Sequence, residues 1–287
     1  MPRPHDSTCE TEDGLHLHQR DWIAAQPRAR LLIVHGLGEH GGRYDRLASE
    51  LVDAGISVRA YDHRGHGRSP GERARVAPHA DQLARDLLRV HERYAAEGHD
   101  APFLMGHSLG GLVAAHAVIV SGLKPRGLVL SSPALRTHAS APERALARLL
   151  SGPFPHVRLS SRLSALHLSH DPHVAGEYLR DPHNHRLISA RLAHFIFTAG
   201  PQVIAEAANL SVPTLLQFAA DDHLVDPAGA RAFASAAPQR KLEAHEYLRL
   251  YHEIYNEAEP DRSRVLADLV RWFDFRLDHP KRPGHVT

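Results

Sequence analysis

Apolar and polar positions alternate along residues 7–12 and again along 15–22. Asp13-Gly14 lies between the two runs, and this predicts a β-hairpin. The pattern then changes. Ala29-Arg-Leu-Leu-Ile-Val-His35 is nearly continuous apolar sequence, as a strand covered on both faces requires. Tyr44, Leu47 and Leu51 fall on one helical face, with Gly55 as the stop. Ile56–Tyr61 reads as a strand. Leu83, Leu87, Val90 and Tyr94 predict an amphipathic helix over Ala77–Ala96. Pro102–Met105 is a short buried strand, and the alanine-rich run from Gly111 to Val120 is a helix. Gly127–Leu130 is the next strand.

From about 135 to 209 the strand–helix alternation stops. Helical patterns punctuated by proline continue, with no convincing strand. Leu146, Leu149 and Leu150 form one apolar patch, and Leu187, Leu192, Phe195, Ile196 and Phe197 form another. Such a segment has more apolar surface than it can bury alone, which suits a cap over a site. Strand signals resume at Pro213–Phe218 and Lys241–Leu248, with a helix to Ala237 between them. A closing helix over Pro260–Leu277 carries Val265, Leu269, Trp272 and Phe273 on one face. The order predicts an α/β protein: an open, mostly parallel sheet with helices on both faces. Residues 1–134 and 210–287 would form its core and 135–209 a helical insertion.

The length of 287 residues suits one such domain, and 43% hydrophobic residues suffice for its core. Net charge is +1 with no long basic run, so nucleic acid is not an implied partner. Cys9 is the single cysteine, which excludes a disulfide within the chain. The polar N-terminus lacks a signal-peptide pattern, and no apolar run approaches the length of a membrane span. A cytoplasmic location is therefore expected.

The chemistry concentrates at predicted strand ends. In Gly106-His-Ser-Leu-Gly110 a serine sits between strand and helix, with glycines two residues to either side. That spacing suits a tight turn that exposes the Ser108 hydroxyl at a helix N-terminus. A serine needs an imidazole to take its proton and a carboxylate to orient that imidazole. At a turn of this kind the partners follow in the order acid, then histidine. Asp221, Asp222 and Asp226 follow the next strand, and Asp226 is placed to cap the helix at Pro227. His252 follows the last strand, whereas His245 lies within it. Ser108, Asp222 and His252 are thus the candidate triad, with Asp221 the rival acid. The amides of Leu109 and of Leu37, in the Gly-rich loop after the Val34 strand, are the candidate oxyanion donors.

The chain resembles the α/β-hydrolases of the monoacylglycerol lipase and lysophospholipase type, also called serine aminopeptidase-like. The resemblance rests on His35-Gly-Leu-Gly-Glu-His-Gly-Gly-Arg-Tyr44, Asp62-His-Arg-Gly-His-Gly-Arg-Ser69, Gly106-His-Ser-Leu-Gly-Gly111, Asp222-His-Leu-Val-Asp226, Tyr251-His-Glu-Ile-Tyr-Asn-Glu257 and, in the insertion, Ile188-Ser-Ala-Arg-Leu192. It implies an α/β-hydrolase fold of about eight strands with a helical cap. It also implies Ser108, Asp222 and His252 as nucleophile, acid and base, and Leu37 and Leu109 as oxyanion donors. Glu39 and Arg43 match positions beside the substrate's polar head, as contacts to it or as a pair that holds the loop, the second reading being favoured. Alanine at 219 departs from the family's usual glycine, which bears on the choice between Asp221 and Asp222.

The expected activity is hydrolysis of single-chain lipid esters, monoacylglycerols first, without cofactor or metal. A lysophospholipase or short-chain esterase on the same triad is the alternative, and a non-catalytic binding protein of this fold a more distant one. The partner is a small lipid ester, and the cap's apolar patches suit transient contact with a membrane surface. His167, His170, His173, His183 and His185 are read as solvated cap residues rather than metal ligands.

Overall fold

The computed structural model describes residues 4–76, 79–161 and 163–279. The chain begins with the hairpin β1 (His5–Glu10) and β2 (His16–Trp22), which turns at Gly14 with φ +81°. There follow β3 (Ala29–Val34), α1 (Asp45–Asp53), β4 (Ile56–Tyr61), α2 (Gln82–Ala96), β5 (Phe103–His107), α3 (Leu109–Ile119) and β6 (Leu128–Ser131). The next segment holds α4 (Ala141–Ser151), β7 (Arg158–Ser160), α5 (Pro172–Arg180), β8 (Leu187–Ser189) and α6 (Ala190–Ala205). The chain closes with β9 (Thr214–Ala219), α7 (Ala228–Ala236), β10 (Leu242–Tyr247) and α8 (Asp261–Asp278).

Eight strands form one sheet in the order β1-β2-β4-β3-β5-β6-β9-β10. Pairing is antiparallel at β1/β2 and β2/β4 and parallel across the rest. This is the α/β-hydrolase fold. Every residue of β4, β5, β6 and β9 is buried, and polar members such as Ser57, Arg59 and Gln217 are hydrogen-bonded inside the protein. Alternate residues of β3 serve opposite faces. Leu31 and Ile33 pack with Leu47, Leu51, Leu269 and Trp272 of α1 and α8. Leu32 and Val34 pack with Leu87, Leu112 and Leu192 of α2, α3 and α6. Each fully buried leucine contributes about 1.5–3 kcal/mol through removal of apolar surface from water. Helix α3 is apolar on all sides because it lies between the sheet and α2 and α6.

After β3 the chain moves to one side, to β4, and after β5 to the other, to β6. A crevice opens at the carboxyl ends of strands where the winding reverses in this way. The loop after β3 and the turn after β5 both border it.

The segment between β6 and β9 differs from expectation in one respect. It contains strands: β7 and β8 pair antiparallel, Arg158 with Ser189 through Ser160 with Leu187. Three residues are too few for an alternating pattern to register. Its two apolar patches have different fates. Leu192, Phe195 and Ile196 of α6 are buried against the core. Leu146 and Leu149 of α4 remain exposed, as do Phe154 and Leu166. Helix α2 begins at Gln82, five residues later than its periodicity suggested, and Ala77 and Pro78 lie outside the described residues.

Candidate active site

Ser108 sits between β5 and α3 with φ +54° and ψ −119°. A non-glycine residue in this region costs about 1–3 kcal/mol and persists only when its surroundings enforce it. Here they do. The Ser108 amide donates to the Ser131 carbonyl on β6 (3.0 Å), and the Ser108 carbonyl accepts from the amides of Leu112 (3.1 Å) and Ala134 (2.9 Å). The flanking glycines are a steric requirement. A Cβ on Gly106 would lie 2.3 Å from the Gly110 carbonyl oxygen, and one on Gly110 would lie 2.1 Å from that of Val34.

Asp222 follows β9 and is buried. Its Oδ1 accepts from the amides of Leu224 (2.8 Å) and Val225 (3.0 Å). Its Oδ2 lies 2.6 Å from Nδ1 of His252. A carboxylate only accepts, so Nδ1 carries the proton and Nε2 is the free base position. Burial alone would raise the Asp222 carboxyl, but His252 and the two amides outweigh it and hold it below the usual carboxylate range. Burial likewise pushes the His252 imidazole down, and Asp222 more than reverses this, so its pKa is raised. The other acids go elsewhere. Asp221 is exposed and pairs with His223 at 3.2 Å. Asp226 accepts from the Ala228 amide at the start of α7 and pairs with Arg136. His245, on β10, pairs with Glu243 and Asp268.

The loop after β3 passes beside the serine. A Cβ on Gly36 would lie 3.2 Å from the Ser108 Cβ. His35 fixes this loop: its Nε2 accepts from the His63 amide (2.9 Å), so its Nδ1 donates to the Gly36 carbonyl (2.8 Å). Leu109 is the first residue of α3, where an amide has no acceptor within the helix. Leu37, Ser108 and His252 line one cavity that opens to solvent. Leu163, Ala165, Leu168 and Tyr178 wall it from the inserted segment.

Glu39 and Arg43 also line this cavity, and both are largely occupied. Glu39 accepts from the Gly36 amide (2.5 Å), the Tyr44 hydroxyl (2.9 Å) and Arg43 (2.7 Å). Arg43 in turn holds Glu253 through two parallel bonds of 2.6 and 2.9 Å. Burial pushes the Glu39 carboxyl up, but Arg43 and two nearby histidines bring it down to about 2. Three residues here escaped the sequence reading. Glu253 is next to His252, yet its partner is 210 positions away. His107 packs against the His252 ring at 4.7 Å, tilted by 52°, and bonds the Ser131 hydroxyl. Glu257 ties the His252 loop to the insertion. The cap histidines are not uniformly solvated either, since His185 packs on the buried His66 at 4.6 Å. Among the described residues no cluster of three or more His, Cys, Asp or Glu side chains could hold a metal ion. No helix there is long and apolar enough to cross a membrane.

The sheet order and a strained serine over a helix start define an α/β-hydrolase. A family profile described as "Serine aminopeptidase, S33" matches residues 25–259. The chain belongs to that family and is a carboxylic ester hydrolase. It is similar to a monoacylglycerol lipase of Mycolicibacterium smegmatis, 33% identical over 254 residues, covering 86% of this chain and 88% of the relative. An abhydrolase domain-containing protein of Dictyostelium discoideum is 30% identical over 282 residues, and this chain spans only 29% of its length. The crystal structure of a Paleococcus ferrophilus monoacylglycerol lipase superposes with a TM-score of 0.83 at 31% identity, covering 92% of this chain and 99% of that one.

Proposed function

We propose that this chain cleaves carboxylic esters of single-chain lipids, monoacylglycerols foremost, through an acyl-enzyme on Ser108. The observation that carries this reading is the 2.6 Å contact between Asp222 and His252, with His252 facing the cavity that Ser108 lines. Nε2 of His252 takes the Ser108 proton as Oγ attacks the ester carbonyl. The amides of Leu37 and Leu109 stabilise the oxyanion, a contribution of about 10²–10³ in rate for each donor. The C–O bond breaks, and the alcohol leaves with the proton from His252. Water then attacks the acyl-enzyme, gives its proton to His252, and Ser108 recovers it as the fatty acid departs. No step requires a cofactor.

Residues 135–209 act in this reading as a cap on a core formed by 1–134 and 210–287. Leu163, Ala165, Leu168 and Leu224 offer an apolar wall to the acyl chain. Glu39 and Arg43 brace the polar end against which a glycerol head group would rest. An aminopeptidase would need a free carboxylate for the substrate's α-ammonium. Glu39 and Glu253 are both engaged by Arg43, which favours esters over peptides.

The test is fatty-acid release from a panel of monoacylglycerols, lysophospholipids and short-chain esters by the wild type and Ser108→Ala. Monoacylglycerols turned over fastest, with turnover lost in the variant, is the expected outcome. Equal activity in the variant would refute the mechanism, and preference for lysophospholipids would refute the substrate class.

A further inference from the structure

Glu257 is buried, with its side chain 1% exposed, and no step of the proposed chemistry uses it. It is nonetheless surrounded by donors from two parts of the chain. Oε1 accepts from the Tyr251 amide (2.6 Å) and from Nδ1 of His170 (2.9 Å). Oε2 accepts from the His170 amide (2.9 Å) and, more weakly, the Ala258 amide (3.3 Å), and it lies 3.1 Å from the Ser169 hydroxyl, whose one proton it shares with the Asn256 carbonyl (2.9 Å). Tyr251 immediately precedes His252. On the other side of the histidine, the Glu253 amide donates to the Leu168 carbonyl (2.7 Å). The Tyr251 ring also stacks on His170 at 3.7 Å. The backbone on each side of His252 is therefore fixed by a group that also holds, or belongs to, residues 168–170 of the inserted segment. Leu168 is itself part of the cavity wall.

We propose that Glu257 is a positioning residue: by holding the Tyr251 amide and residues 169–170 at once, it makes seating of the inserted segment and alignment of His252 a single event. This rests on the assignment of His252 as the base. A carboxylate suits the position because it offers acceptors only, and the amides of Tyr251, His170 and Ala258 can only donate. A glutamine there must turn an NH₂ group toward some of those donors, whichever way it flips. A shift of about 1 Å in a reacting group costs about 10²-fold in rate.

The experiment uses the full chain and compares wild type, Glu257→Gln and Glu257→Asp. The readouts are kcat and KM for ester hydrolysis across pH, and the rate at which a fluorophosphonate probe acylates Ser108. Wild-type labelling is scored first, because its failure would sink the assignment of the base and nucleophile rather than this proposal. With labelling in hand, Glu257→Gln is expected to lower kcat by about 10²-fold while leaving KM within about twofold. Its acid limb should move to lower pH as Asp222 loses its hold on a loosened His252, with Glu253, Glu39 and His107 still facing the ring. Glu257→Asp keeps the charge but is one methylene too short to span both groups, and it is read in the same way should the glutamine variant not fold. Wild-type kcat and an unchanged acid limb in a variant that only melts earlier would overturn the proposal.

Discussion

Arg43 grips Glu253 through two parallel hydrogen bonds, and the same guanidinium reaches Glu39. All three side chains are largely buried, and Glu253 adjoins His252. Removing the cation would leave two carboxylates without their partner, which costs about 3–5 kcal/mol. Arg43→Ala should therefore lower the melting temperature markedly. Arg43→Lys should be intermediate, because an ammonium does not present a planar fork. Thermal denaturation checks this, and a melting temperature equal to wild type in Arg43→Ala would contradict it.

Asp222 holds Nδ1 of His252 and raises its pKa. The base form exists only above that value, so kcat/KM should climb with pH along a limb lying above the ordinary histidine value of about 6.5. Asp222→Asn should cut kcat by about 10⁴, as loss of the orienting carboxylate does in other triads, and move the limb to lower pH. Rate–pH profiles of the two proteins give the answer.

Stability should fall on mild acidification. Burial pushes the imidazoles of His35, His63, His66 and His107 down, that of His107 to about 4. The unfolded chain protonates these rings below a pH of about 6.5, whereas the folded chain resists. Between those limits the unfolded state binds more protons, and each fully buried ring removes about 1.4 kcal/mol per pH unit. His252 acts in the opposite sense, since its raised value contributes stability that is lost as pH rises through it. Urea midpoints should be lower at pH 5.5 than at pH 7.5, and an equal or higher midpoint would count against the buried neutral cluster.

Gly110 carries the tightest constraint at the elbow. An alanine Cβ there would press on the carbonyl oxygens of Val34 and His35, at 2.1 and 2.5 Å. These are backbone atoms, so no rotamer change relieves the clash. Gly110→Ala should melt earlier and lose probe labelling at Ser108. Gly152→Ala is the control, because nothing lies within 4 Å of its added methyl, and it should behave as wild type.

The central strands were legible because burial on both faces leaves continuous apolar runs, as in Leu31–Val34 and Leu128–Leu130. The elbow was legible because close backbone approach demands glycine at 106 and 110. His252 could be singled out by its place after the last strand. The β7/β8 ribbon was not legible, since three residues carry no period. Nor was the role of Glu257: its partners Ser169 and His170 lie 88 and 87 positions away, and nothing in the local sequence marks such a meeting. Composition made His185 look solvated, whereas its position depends on how the inserted segment folds back onto His66.

The most direct measurement is covalent labelling of the full chain with a fluorophosphonate, followed by mapping of the modified peptide. One adduct per chain on Ser108, absent from Ser108→Ala and much slower in His252→Ala, is the expected result. No adduct, or an adduct on a different residue, would contradict a nucleophile activated by His252 and Asp222.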